Sequence, residues 1–158
     1  MWSHYADHHR GVVFEFMPDE SRDSALLISR PVTYTRDRPL IYRTPEDLIR
    51  SAIMTPLLDL ESVKHMTESL IYTKSVEWRY EEEYRLVIPR FIPNGKTKEM
   101  LSFYPEELTA VHFGCRIDEH QKNELAKLAR ALNLRAHFYQ AAMARQEYAL
   151  EWECIVGT

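Results

Sequence analysis

The stretch from Thr109 to Cys154 constrains the fold of this chain more than any other. Thr109–Cys115 is rich in branched and aromatic residues and predicts a strand, and Asp118 then offers a capping side chain for a helix running to about Asn133. Leu125, Leu128, Ala129 and Leu132 recur at helical spacing and mark the face expected to be buried. Leu134–Ala141 predicts the next strand. Two strands joined by a helix pair in parallel, and the crossover between them is right-handed. With a last strand over Glu147–Cys154 after a short turn, the C-terminal third reads as a β-α-β-β unit.

The rest of the chain must supply strands and helices that join this unit. Val12–Phe16 predicts a strand, punctuated by Gly11 before it and Pro18-Asp19 after it. Ala25–Ser29 and Val32–Thr35 predict two short extended pieces split by Pro31, which has no amide hydrogen for a ladder and marks an edge or a bend. Thr44-Pro45-Glu46-Asp47 is a helix start: a capping oxygen, a proline in the first helical position, and two acids at the positive end of the dipole. The apolar pattern then runs from Leu48 to Leu70, and Pro56 divides it into two helices or kinks a single one. Tyr84–Pro89 predicts a central strand beside Thr109–Cys115, and Asn94-Gly95 a hairpin turn with Met100–Tyr104 as the return strand. The expected architecture is α+β: a single domain over residues 1–158 with a mixed β-sheet, a central helical segment and the C-terminal β-α-β-β unit. Met1-Trp2-Ser3-His4-Tyr5 has no polar run-up, so an N-terminal segment is expected upstream.

Composition excludes several classes of function. At 158 residues there is room for one ordinary core. Lys plus Arg total 20 against 24 for Asp plus Glu, a formal charge of -4 that disfavours non-specific nucleic-acid binding. Four glycines cannot furnish a G-x-G-x-x-G turn or a Walker-type phosphate loop at their positions 11, 95, 114 and 157. Cys115 and Cys154 accompany no C-x-x-C, so neither a zinc ribbon nor a redox pair is encoded, and both are expected as buried thiols. No charged leader or long apolar run is present, and a cytoplasmic protein with no membrane partner is the expectation.

Three places carry groups capable of chemistry. Ser3, His4, Tyr5, Asp7, His8 and His9 crowd together; if the segment is helical, His4 and His8 share one face at metal-ligand spacing, but no third ligand is recognisable and no metal is expected. Trp78-Arg79-Tyr80-Glu81-Glu82-Glu83-Tyr84-Arg85 enters the central strand, where alternation sets Glu81 and Glu83 beside Arg85. Paired carboxylates there can stabilise an oxocarbenium-like centre or take a proton; the competing reading is an ion-pair ladder that holds strand register. Phe113-Gly114-Cys115-Arg116 lies at the carboxyl end of a strand, a common ligand position, although Asp118 would repel a phosphate and Cys115 has no identifiable base.

Trp2-Ser3-His4-Tyr5-Ala6-Asp7 with His9 and Gly11, then Lys74 with the block from Trp78 to Arg85, then Gly114-Cys115-Arg116, resemble a bacterial family, domain of unknown function 2971. The resemblance implies a further N-terminal segment with a tyrosine-bearing strand and an N-D-P-type turn. It also implies a distant likeness to the ADP-ribosyltransferase fold, in which a glutamate of an E-x-E pattern entering a late strand supports attack on the ribose carbon of NAD. On that likeness the chain is an NAD-using ADP-ribosyl or glycosyl transferase-like enzyme, with Glu81 as acid or base and Glu83 as electrostatic stabiliser. His4 and Tyr5 would line the nucleotide site, and Arg85 would hold the carboxylates or meet a phosphate. The alternative is a non-enzymatic binding or sensor module for a nucleotide or protein partner, of a kind associated with mobile-element or phage-defence genes.

Overall fold

In chain order the elements are α1 (Trp2–Tyr5), β1 (Val12–Phe16), a 3-10 helix (Ala25–Ile28), β2 (Arg30–Pro31), β3 (Thr33–Thr35), β4 (Thr73–Ser75), a second 3-10 helix (Val76–Glu81), β5 (Tyr84–Arg85), a 3-10 turn (Pro105–Glu107), β6 (Leu108–Phe113), α2 (Glu119–Leu132), β7 (His137–Met143) and β8 (Leu150–Cys154). The structure, a computed structural model, describes residues 2–39, 45–46, 49, 68–88 and 100–155. Contacts divide the chain into two compact units, one formed by Met1–Leu27 with Ile92–Thr158 and the other by Ile28–Phe91.

The first unit is built on a four-stranded sheet of order β1-β6-β7-β8. β6 and β7 run parallel through the α2 crossover, and the two outer pairings are antiparallel. This is the mixed sheet and the β-α-β-β run expected of an α+β chain. Asp118 starts α2 as anticipated, its Oδ1 accepting the amides of His120 at 3.0 Å and Gln121 at 3.1 Å. Val111 and Phe113 lie on one face of β6, and Phe138 opposes Val111 in register. With Leu108, Ala126, Ala129 and Ala136 they form the core.

α2 packs on part of the stripe its apolar spacing suggests, through Ala129 and the half-buried Leu125, with Ala126 beside them in place of Leu128 and Leu132. Ala126 and Ala129 are buried, whereas Leu128 is 62% and Leu132 52% exposed. The large rings come from the sheet, where Phe113 and Phe138 stack at 6.2 Å, and a helix can approach such rings closely only through small side chains. Glu107, 1% exposed, closes this unit at the start of β6. Its carboxylate accepts the Tyr104 amide at 2.9 Å and the Asp19 amide at 3.2 Å. Burial pushes the Glu107 carboxyl up, but the Ser24 hydroxyl and these two amides outweigh it and hold it below the ordinary carboxylate range.

Several local expectations are corrected. Ala25–Ile28 is a 3-10 helix rather than extended, because the Ser24 Oγ accepts the Leu26 amide at 3.2 Å and tightens the turn. The strand expected over Tyr84–Pro89 is confined to Tyr84–Arg85, and it pairs with β2 in a separate two-stranded sheet rather than with β6. Met100–Tyr104 forms no strand, the chain turning at Tyr104 into Pro105–Glu107. Cys154 is exposed and Cys115 partly so, both as free thiols. Helical backbone occurs at Pro45, Glu46 and Ile49 and over 68–71, while Pro56 and Asn94-Gly95 lie outside the described residues. Among those residues no helix is long and apolar enough to cross a membrane.

Candidate functional site

In the second unit, β3 and β4 pair in parallel with Tyr34 opposite Lys74. The chain then enters the 3-10 helix Val76–Glu81 and leaves it through Glu82, whose backbone is left-handed at φ 46 and ψ 44. This reversal, not strand alternation, brings the two outer acids of the E-x-E together. Lys74 Nζ donates to Glu81 and, at 2.9 Å, to Glu83. Arg85 grips Glu83 with two nitrogens, Nε at 2.6 Å and Nη2 at 3.1 Å, and its Nη1 donates to the Ile71 carbonyl. The Glu83 amide donates to the Tyr34 hydroxyl oxygen at 2.8 Å, and the Glu83 carbonyl accepts the Val32 amide at 2.9 Å.

The electrostatics follow from this geometry. The hydrogen bonds from Arg85 and Lys74 outweigh desolvation and pull the Glu83 carboxyl down from 4.5 to about 2. The hydrogen bonds to Glu81 and then Glu83, with the charges of the same two carboxylates, outweigh burial and raise the Lys74 ammonium above its ordinary range. The Arg85 guanidinium is raised by Glu83 foremost. Both oxygens of Glu83 are thus engaged by cations, and the Glu81 side chain is 5% exposed beside Lys74. A carboxylate held this low is ionised at neutral pH and a weak base. The Trp78 ring lies under the same ammonium, 5.1 Å from Lys74 Nζ.

The other sequence-predicted residues belong to the first unit. His4 and Tyr5 are exposed on α1. His4 and His8 do not share a helical face, because α1 stops at Tyr5 and Asp7, His8 and His9 adopt left-handed backbone at φ 43, 53 and 69. Among the described residues no cluster of three His, Cys, Asp or Glu side chains converges as a metal site. The turn at 7–9 meets Gly114 instead: the Arg116 amide donates to the His9 carbonyl at 2.9 Å and the Gly114 amide to the Gly11 carbonyl at 3.0 Å. A Cβ on Gly114 would lie 2.2 Å from the His9 oxygen, so glycine is required there for the two segments to meet. Two of the three blocks singled out in the sequence therefore touch.

Lys74 and Tyr34 were not assigned roles from sequence, yet they complete the ion cluster. Lys74 was visible within the family pattern; Tyr34 is fixed by the β3–β4 pairing and leaves no local signal. No curated protein and no solved structure matches the chain. A family model does match residues 1–86, which contain both the N-terminal block and the whole ion cluster. On that match, spanning more than half of its length, the chain belongs to the family described as protein of unknown function DUF2971.

Proposed function

We propose that this chain is a non-enzymatic binding or sensor module of the cytoplasm, and that its acidic cluster is a structural staple. One observation carries the reading: both oxygens of Glu83 are occupied by Lys74 and Arg85 of the same unit. A carboxylate meant to face a developing positive charge on a ribose works through an uncompensated field, and here two cations stand against that charge. The exposed rings near the cluster in sequence, Trp78 with Tyr80 at 6.0 Å and Tyr84 at 66% exposure, supply contact surface of the kind binding modules use.

The competing reading is the NAD-using transferase, with Glu81 as acid or base and Glu83 as electrostatic stabiliser. Assaying NAD consumption by the parent chain, with the melting temperature of Glu83→Gln alongside, separates the two. The module reading expects no turnover and a loss of roughly 2 kcal/mol, because Gln leaves charged partners short of an acceptor, or about 5 °C in Tm for a chain of this size. NAD turnover that is abolished in Glu83→Gln at an unchanged Tm would establish the transferase instead.

A further inference from the structure

The first unit contains a feature that uses no residue of the ion cluster. Helix α1, the left-handed turn and the connection between β7 and β8 line a cleft of about 730 Å³, within the roughly 300–1,000 Å³ typical of small-molecule sites. The aromatic residues Trp2 and His9 line it together with the apolar Met143 and Leu150 and the oppositely charged Arg145 and Glu147.

Trp2 is held by its ring and His9 by its backbone. Trp2 packs against Trp152 at 5.2 Å, and Trp152 stands edge-on to His112 at 5.2 Å. His112 is itself anchored, its Nε2 lying 3.0 Å from Glu15 and its ring stacked on Tyr139 at 4.9 Å. His9 is held by its backbone. Its Nδ1 is buried with no hydrogen-bond partner, so that edge of the ring contributes nothing to its placement; the carbonyl bond to Arg116 and the contact with Gly114 do. Left-handed backbone costs an L-residue about 1–2 kcal/mol, and here it is adopted at three successive non-glycine positions. Such strain persists where the surroundings over-determine it and collects at functional sites. The chain tolerates three residues at positive φ and an unpaired ring nitrogen where it sets His9 at the wall of the cleft.

We propose that this cleft binds a small planar nitrogen heterocycle of the nucleobase or nicotinamide type. Trp2 and His9 offer two aromatic surfaces for a flat ring, Met143 and Leu150 give apolar walls, and Arg145 and Glu147 provide a donor and an acceptor for a rim that carries both. A saturated ring would satisfy the walls and leave the aromatic surfaces unused.

The test is a titration of the full chain, with the ring resonances of His9 followed by NMR. The probes are adenosine and nicotinamide, with cyclohexanecarboxamide as a non-planar control and a short oligoadenylate to separate a free heterocycle from a strand. Saturable shifts of the His9 signals by at least one planar probe are expected, with no response to the saturated one. Oligoadenylate should bind no more tightly than adenosine, in keeping with the net charge of -4. Trp2→Leu should weaken binding about tenfold, the scale of one lost stacking surface, and so should His9→Asn, followed through the tryptophan indole resonances instead, since asparagine accepts left-handed backbone. Absence of any shift with both planar probes, an equal response to the saturated control, or undiminished affinity in Trp2→Leu would overturn the assignment. Much tighter binding of the oligoadenylate would overturn the small-molecule class. Should His9→Asn fail to fold, Trp2→Leu, which leaves the turn untouched, decides.

Discussion

Phe113 and Glu83 are both enclosed by their own units, for opposite physical reasons. Phe113 is fully buried in a continuous apolar layer between the sheet and α2, alongside Val111 and Phe138. Glu83 is enclosed by charge, with Lys74 and Arg85 on its oxygens. Among the described residues of the second unit Val32 is the one buried apolar side chain, and the strands there are two or three residues long. Two-stranded pieces of that size are not stable alone, so the ion cluster ties together backbone that the described apolar contacts do not. Burying apolar surface stabilises at any pH; an ion cluster stabilises only while its members keep their charges.

Four experiments would break or sharpen that contrast. Phe113→Ala should have the largest effect, about 4 kcal/mol, by opening a cavity in the first unit's core, and chemical denaturation would read it. Lys74→Met should follow at about 3 kcal/mol, since it strips the ammonium from the buried Glu81 carboxylate and one of two cations from Glu83; a change under 1 kcal/mol in the same assay would show that the cluster is ornamental. Acid titration comes next. The Glu83 pKa is depressed, so its contribution is complete above the ordinary 4.5 and disappears as pH falls toward about 2. Probes near Trp78 should therefore report loss of structure in that window, whereas the apolar layer itself supplies no such titration. Glu107 works in the same direction in the first unit, since its pKa is also lowered, and Glu107→Gln would remove that contribution and isolate the second unit's response. The smallest effect is a gain. Glu82→Gly relieves left-handed backbone on an exposed residue, and after the entropy glycine loses on folding it should raise stability by about 0.5 kcal/mol in thermal unfolding.

What could be read from the amino acids divides along the same line. The β6-α2-β7-β8 run was legible because its signals are local: alternating branched residues, a capping aspartate and a helical period within one stretch. The buried stripe of α2 was legible only in part: Ala129 and Leu125 lie on it as their spacing suggests, whereas Ala126 takes the place of Leu128 and Leu132 against rings carried by the sheet. Tyr84–Arg85 was recognised as extended, but its partner in β2 depends on a pairing more than fifty residues away in sequence. Glu81, Glu83 and Arg85 were singled out by type and spacing, and they do gather; the means is the left-handed Glu82, which nothing in the identity of a glutamate announces. Tyr34 and Lys74 complete the cluster through β3 and β4, a contact set by tertiary structure alone.

The turn at Asp7, His8 and His9 has one more consequence. With three successive residues at φ 43, 53 and 69, the chain writes a short passage of mirror-image backbone inside a protein of ordinary handedness. Inverting the stereochemistry of a residue normally disrupts its surroundings, because side chain and backbone preferences then disagree. At position 8 they would come into agreement: a D-histidine installed by chemical ligation should settle where its L-counterpart is under strain, by about 1–2 kcal/mol. This segment is a place where the fold selects against the chirality of its own building blocks.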